Sequence, residues 1–213
     1  YLGYDDEYLG YQQNSIYVMK PDGSSKFKIQ LNLDRNISNI YWSADDKRIY
    51  FQFDDKGITK IGSTTLEGKF QTEVDQIGGL SFSRPYSGGF FILSINNRYS
   101  FTYGTSYNPA DLAVGYKGSK KRLTNLNKDL FDYKKLGNVE EIWYESSFDG
   151  KMIHGWIVKP PNFDSSKKYP LILEIHGGPH TNYGFHFSSE VQLFASKGYV
   201  VLYTNPRGST SYG

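Results

Sequence analysis

Short apolar runs separated by turn residues make up the chain from residue 1 to about residue 136. Typical runs cover residues 16–19, 48–53 and 90–93. Each is too short for a globular helix, and each is rich in the β-branched and aromatic residues that favour strands. Turn residues fill the gaps, as in Pro21-Asp22-Gly23. This part of the chain is therefore predicted to consist of β-strands.

The predicted strands recur with a regular spacing. Trp42-Ser43 and Phe82-Ser83 each precede a polar turn and an apolar strand, and they lie 40 positions apart. Ile16 and Ile58 begin similar runs 42 positions apart. A period of about 40–45 residues with four short strands per unit is typical of β-propeller blades. We therefore predict two to three blades over residues 1–136, with a β-sandwich as the alternative.

The pattern changes in the second part of the chain. Apolar runs at residues 141–146 and 152–158 flank Asp149-Gly150, a strong hairpin signal. Residues 171–175 form an apolar run closely flanked by Pro on both sides, which predicts a strand buried on both faces. Residues 199–203 predict a second, fully apolar strand.

A helix is predicted between these last two strands. Ser189 and Gln192 form a Ser-x-x-Gln capping box, and Val191 and Phe194 lie on one apolar face. Gly198 stands where a left-handed residue should end the helix. Strand, helix and strand with short connections make a βαβ unit, so the two strands should pair in parallel.

Composition and charge exclude several classes of chemistry. The 213 residues carry a net charge of +2 and no cysteine, so disulfides, thiol catalysis and cysteine-ligated metals are excluded. The low net charge does not favour nucleic acid, and no apolar run approaches the ~18 residues that span a bilayer. We expect neither a nucleic-acid nor a membrane partner. The compartment stays open, with the cytoplasm as the default.

The histidines do not follow a metal-binding pattern. His176, His180 and His186 lie close together near Glu174 and Glu190. Their spacing matches no His-Glu-x-x-His helix or related zinc motif. We therefore expect no metal and no cofactor, and we expect these side chains to form local hydrogen bonds.

The Gly-rich turn after the first of the two parallel strands is the candidate functional element. His176-Gly177-Gly178-Pro179 follows residues 171–175 directly. Two glycines allow backbone angles that bring N–H groups close to a ligand, and open α/β sheets bind ligands at the carboxyl ends of their strands. The alternative is a tight turn that needs only flexible residues.

Several motifs occur in an order that resembles the prolyl oligopeptidase family of serine peptidases, in particular its acylaminoacyl-peptidase and dipeptidyl-peptidase-like branches. After the Asp-Gly hairpin come Pro-Pro-Asn-Phe at 160–163, Lys-Lys-Tyr-Pro-Leu-Ile-Leu at 167–173, His-Gly-Gly-Pro at 176–179 and Asn-Pro-Arg-Gly-Ser at 205–209. The resemblance extends from about residue 140 to residue 213.

The resemblance implies a β-propeller fragment of two to three blades over residues 1–136 and the N-terminal part of an α/β-hydrolase domain over residues 137–213. The implied protein is a serine peptidase of aminopeptidase or oligopeptidase type that cleaves short peptides through an acyl-enzyme. His176, Gly177 and Gly178 match the family's oxyanion turn, in which a backbone N–H, by preference that of Gly178, faces the oxyanion. Some relatives use a Tyr hydroxyl there, which His176 does not provide.

The chain also departs from the family pattern. The nucleophile elbow Gly-x-Ser-x-Gly is absent. The stretch at 208–213 has the wrong spacing and follows the second parallel strand, whereas the family's Ser, Asp and His come later. We therefore expect a chain without the triad, inactive alone, with the remainder of a parent polypeptide as its partner and self-association of the fragment. The alternatives are a non-catalytic propeller binding module with a decayed hydrolase domain, or an esterase.

Overall fold

The computed structural model describes residues 1–213 and consists mostly of β-sheet, with no closed barrel. In chain order the strands are β1 (Leu2–Gly3), β2 (Ser15–Val18), β3 (Phe27–Lys28), β4 (Ile37–Trp42), β5 (Arg48–Asp55), β6 (Ile58–Thr65), β7 (Phe70–Ile77), β8 (Phe91–Leu93), β9 (Tyr99–Thr105), β10 (Asn108–Tyr116), β11 (Ser119–Arg122), β12 (Asn138–Glu145), β13 (Met152–Lys159), β14 (Leu171–Ile175) and β15 (Val200–Asn205). The helices are α1 (Lys128–Phe131) and α2 (Ser189–Ser196). Neither helix has the length and apolar character needed to cross a bilayer.

The strands form four sheets that follow one another along the chain. Three are antiparallel, with orders β1-β2-β3, β4-β5-β6-β7 and β11-β10-β9-β8. The fourth has the order β12-β13-β15-β14, in which β14 and β15 pair in parallel and the other pairs are antiparallel. The predicted hairpin at Asp149-Gly150 and the predicted parallel pair are therefore confirmed.

The second antiparallel sheet shares a core with each of its neighbours. Successive residues of a strand point to opposite faces, and β5 shows the consequence. Tyr50 belongs to the buried cluster that contains Tyr99 of β9, whereas Phe51 belongs to the cluster that contains Ile16 of β2. Burial on both faces explains why Ile49, Tyr50 and Phe51 are apolar in succession instead of alternating with polar residues.

The turns that repeat between the second and third sheets are not the two that the 40-residue spacing predicted. Ser43 Oγ accepts a hydrogen bond from the N–H of Arg48 at 2.9 Å, and Ser94 Oγ accepts one from the N–H of Arg98 at 3.1 Å. These equivalent turns are 51 positions apart. Phe82-Ser83 instead lies in the long connection between β7 and β8. This connection is bonded to the first residues of α2 and its cap, and its length separates the two equivalent turns by more than 40 residues.

The closing strand of the third sheet is β11. Lys117 and Gly118 have φ angles of 47° and 77°, and a two-residue turn with positive φ at both positions favours a hairpin. The Lys-Lys-Arg run of β11 lies on the edge of the sheet, where lysines are common.

The prediction that β14 is buried on both faces is wrong. Leu171, Leu173 and Ile175 are 61%, 53% and 64% exposed. Ile172 and Glu174 face the side covered by α2, whereas no element packs on the opposite face, which meets solvent.

The ends of α2 agree in part with the capping prediction. Ser188, one residue earlier than predicted, caps the helix by accepting from the N–H of Val191 at 3.2 Å. Gln192 does not close a capping box, because its amide bonds both the N–H and the C=O of Gly137. Gly198 ends the helix with φ of +91°, as predicted.

The exposed face of β14 predicts self-association. An open strand edge and an exposed apolar row together favour pairing between copies. We expect light scattering after size-exclusion chromatography to show a mass that rises with concentration. Leu173→Lys should lower that mass at each concentration without lowering the melting temperature, because this side chain makes little contact with the core. A wild-type chain that stays monomeric at every concentration would contradict the prediction.

Candidate functional site

The parallel pairing of β14 and β15 brings two turns to one edge of the mixed sheet. Ile175 at the end of β14 is level with Thr204, one residue before the end of β15. The turn 176–179 therefore lies beside the turn 206–209. The carboxyl ends of adjacent parallel strands are the usual place for a binding site in an open α/β sheet.

His176 ties these two turns together. Its ring is buried, with Nδ1 2.8 Å from the carbonyl oxygen of Gly177 and Nε2 2.9 Å from Ser209 Oγ. A carbonyl can only accept, so Nδ1 carries a proton that it donates to Gly177, while Nε2 and the Ser209 hydroxyl form the second hydrogen bond. Both ring nitrogens are thus engaged within the protein.

Gly177 and Gly178 lie exposed at the tip of the first turn. Neither N–H donates to an acceptor of the chain, so both are available to a ligand. Gly178 has φ of +131°, and a Cβ there would lie 2.8 Å from the backbone N of His180. Only glycine tolerates both this positive φ angle and this close approach of the backbone at position 178. At position 177, by contrast, an added Cβ would contact nothing.

A cavity of about 590 Å³ lies against the turn 206–209 and against His180, the residue after the turn 176–179, and neither Gly177 nor Gly178 lines it. Its wall includes Ser209 and Tyr212 from the turn after β15, His180 from the turn after β14, and Tyr11 from the N-terminal segment. The Tyr11 and His180 rings stack at 5.3 Å. The N-terminal segment therefore covers one side of the candidate site, a placement that nothing in the sequence predicted.

His154 has a structural environment beside the same cavity. Its ring stacks on Trp143 at 4.0 Å and contacts Trp156 at 4.2 Å, and Nδ1 lies 2.8 Å from the Tyr212 hydroxyl. Burial lowers the pKa of His154, and the carboxylate of Glu141, 2.9 Å from Nε2, opposes that change. No group of three or more His, Asp or Glu side chains is arranged to hold a metal ion.

Arg207 holds a neighbouring loop rather than its own turn. Its guanidinium forms a two-point pair with Asp149 and also donates to Ser146 Oγ at 2.7 Å. The β12–β13 hairpin brings Asp149 within reach of this guanidinium.

A group of residues that the sequence did not single out fastens the β7–β8 connection to the mixed sheet. Arg84 pairs with Glu174 of β14 and, at 3.2 Å, with Glu190 of α2. The Tyr183 hydroxyl donates to the same Glu174 carboxylate at 2.9 Å. The side chain of Ser188 donates to the Ser83 carbonyl at 2.6 Å. Only the folded chain brings these positions together.

Comparison with known proteins gives consistent results. A family model described as the prolyl oligopeptidase family matches residues 185–213. The uncharacterized peptidase YuxL of Bacillus subtilis is 34% identical over 176 residues, which cover 81% of this chain and 25% of that protein. A probable dipeptidyl-peptidase 5 of Aspergillus clavatus is 32% identical over 225 residues, which cover 100% of this chain and 29% of that protein.

Solved structures show the same likeness. An acylaminoacyl peptidase bound to Z-Gly-Gly-Phe-chloromethyl ketone superposes with a TM-score of 0.77 at 26% identity, covering 94% of this chain and 29% of that one. Pyrococcus horikoshii acylaminoacyl peptidase gives 0.74 at 27% identity over the same shares. The relatives are serine peptidases. The chain belongs to the prolyl oligopeptidase family, and it spans between a quarter and a third of the length of these relatives.

His186 predicts a pH dependence of stability. Its ring is buried against Gly78 and Gly184 without a hydrogen-bond partner, and burial lowers its pKa to about 4. An unfolded histidine titrates near 6.5. Between these values the unfolded chain binds more protons, so stability is complete above about pH 6.5 and falls towards pH 4, by as much as about 3 kcal/mol.

Urea unfolding between pH 4 and pH 7 measures this contribution. His186→Phe keeps a planar ring and removes the titration, so its free energy of unfolding should change less with pH than that of the wild type. His180→Phe, at an exposed histidine, is the matched control and should keep the wild-type slope. Parallel pH profiles for the wild type and His186→Phe would show that His186 does not titrate in this way.

Proposed function

We propose that this chain supplies propeller blades and the oxyanion turn of a serine peptidase that hydrolyses short peptides through an acyl-enzyme. The observation that carries the proposal is the pair of unengaged N–H groups at Gly177 and Gly178, in the turn at the carboxyl end of one of two adjacent parallel strands. Residues 1–136 would form the blades. Residues 137–213 would form the first part of the α/β-hydrolase domain. The names of the relatives, all peptidases, favour a peptide over a simple ester as substrate.

The proposed role of the turn is electrostatic. During acyl transfer the substrate carbonyl oxygen becomes a tetrahedral oxyanion, and fixed N–H donors about 2.7–3.1 Å away stabilise it. His176 has no hydroxyl, and both of its ring nitrogens are engaged. The donors of this turn are therefore its backbone N–H groups, with Gly178 as the preferred one.

Ser209 does not have the surroundings of a nucleophile, although it lies beside His176. In a catalytic triad a carboxylate orients the imidazole through Nδ1, whereas Nδ1 of His176 faces the Gly177 carbonyl. Ser209 Oγ also lies 2.7 Å from the carbonyl oxygen of Pro206. The proposal therefore places the nucleophile outside these 213 residues.

The first test is chemical labelling. The 213-residue chain should not react with a fluorophosphonate probe, because the histidine that contacts Ser209 is held by a backbone carbonyl and not by a carboxylate. A serine peptidase run in parallel shows that the probe is active, and mass spectrometry locates any modified residue. Stoichiometric labelling of Ser209 or Ser211 would overturn the assignment of this chain as lacking a nucleophile.

The second test removes the proposed donor. In a polypeptide that joins these residues to a nucleophile elbow, replacing the amide N–H of Gly178 by an ester oxygen keeps the backbone shape. We expect kcat to fall by about 10²–10³ with little change in KM, the usual cost of one oxyanion donor. Gly178→Pro is a poorer variant, because proline is held near φ of −65° and this position has φ of +131°.

The same ester at position 177 is the matched control. A larger fall in kcat at position 177 than at position 178 would move the donor to Gly177. Unchanged kcat in both ester variants, with unchanged melting temperatures, would contradict an oxyanion role for this turn.

A further inference from the structure

Tyr183 supports the turn 176–179 from the inside of the protein. Its side chain is fully buried, and its ring packs edge-on against the His176 ring, with the two ring centroids 5.2 Å apart. Its hydroxyl donates to the Glu174 carboxylate at 2.9 Å. Glu174 and His176 are two positions apart, so their side chains lie on the same face of β14 and its continuation. Tyr183 therefore contacts the two side chains of that face that come just before Gly177.

Tyr183 is in turn fixed by contacts that do not involve the turn. Its N–H donates to Asn205 Oδ1 at 2.8 Å, and its carbonyl accepts from Asn205 Nδ2 at 2.9 Å. On the other side it pairs with Tyr86 of the β7–β8 connection in a single antiparallel bridge, with the two rings 4.8 Å apart. Burial and then the bond to Glu174 raise the pKa of Tyr183, so its hydroxyl keeps the proton that it donates.

Arg84 supplies the positive charge in this group of side chains. It belongs to the same β7–β8 connection, and its guanidinium pairs with Glu174 and, at 3.2 Å, with Glu190. No other cationic side chain pairs with Glu174, whose side chain is only 15% exposed. A largely buried carboxylate that loses its cation is strongly destabilised. Without Arg84, we therefore expect Glu174 to turn towards water and to release the Tyr183 hydroxyl.

We propose that Arg84 is a positioning residue for the turn 176–179, although it makes no hydrogen bond to the turn itself. Arg84 fixes the Glu174 carboxylate, which fixes Tyr183, and the Tyr183 ring fixes the ring of His176. The antiparallel sheets thereby determine whether the glycine N–H groups are held in place. The catalytic consequence rests on the proposed function, whereas the fixing of the turn by Arg84 does not.

NMR relaxation dispersion on the 213-residue chain tests the positioning without turnover. In Arg84→Met the Gly177 and Gly178 amides should show exchange on the microsecond-to-millisecond timescale that is absent from the wild type. The ring-proton signals of His176 should also shift, because the Tyr183 ring no longer has a fixed place beside them. Wild-type signals from the turn in a folded Arg84→Met chain would overturn the proposal.

The matched control is an arginine that pairs with a buried carboxylate elsewhere in the chain. Arg122 pairs with Asp111, which is 4% exposed, within the third antiparallel sheet. Arg122→Met should lower the melting temperature and leave the signals of Gly177 and Gly178 as in the wild type. If Arg122→Met disturbed the turn as much as Arg84→Met does, the effect would be one of general stability, and the proposal would be wrong.

Two further variants separate positioning from a purely structural role. Arg84→Met combined with Glu174→Gln removes the stranded charge and keeps an oxygen that accepts from Tyr183. This double variant should restore the wild-type signals of the turn, whereas independent structural losses would add. Tyr183→Phe keeps the buried ring and removes only the hydroxyl, so it should fold and show the same exchange at Gly178 as Arg84→Met. Failure of the rescue, or wild-type signals in Tyr183→Phe, would contradict the proposal.

The kinetic test uses a polypeptide that joins these residues to a nucleophile elbow. Arg84→Met should lower kcat by about 10-fold with little change in KM, because the donors remain but are held less firmly, and complete loss of one donor costs about 10²–10³. The double variant should recover kcat. A fall in kcat in the Gly178 ester variant without any fall in Arg84→Met would overturn the role of Arg84. Unchanged kcat in all of these variants, with the NMR effects present, would contradict only the oxyanion role of the turn.

Discussion

The parallel register of β14 and β15 is the constraint on which the candidate site depends. Because Ile175 is level with Thr204, the chain leaves both strands at the same edge of the sheet. His176 can then contact Ser209, and the first turn is held with its glycine N–H groups outward. A parallel pair needs a crossover, and α2 provides it while burying one face of the sheet.

Two acidic side chains at the junction between the antiparallel sheets and the mixed sheet have different partners. Glu174 is matched there by Arg84 and by the Tyr183 hydroxyl, which offsets the cost of taking a carboxylate out of water. Asp54 receives only neutral donors. Close backbone packing fixes this junction, since a Cβ on Gly184 would lie 1.8 Å from the carbonyl oxygen of Gly57.

Local patterns in the sequence predicted the elements that depend on local chemistry. The Asp149-Gly150 hairpin, the βαβ unit and the Gly-rich turn all follow from residues adjacent in the chain. Strand burial was mispredicted for β14, because the burial of each face depends on what packs over it and not on the residues of the strand itself. Asp54 and Arg84 were missed for a similar reason: Ser87 lies 33 positions from Asp54 and Glu174 lies 90 positions from Arg84, and no periodic pattern links positions that only the fold brings together.

The central claim, that the turn after β14 presents unengaged backbone donors, is tested most directly by amide hydrogen exchange measured by NMR. The N–H groups of Gly177 and Gly178 should exchange at the rates of unprotected amides. Those of Thr181 and Thr210, which donate to backbone carbonyls of the same loops, should be protected. If the N–H of Gly178 were as protected as that of Thr181, it would already donate to an acceptor within the chain. That result would contradict the account of the turn as an oxyanion site.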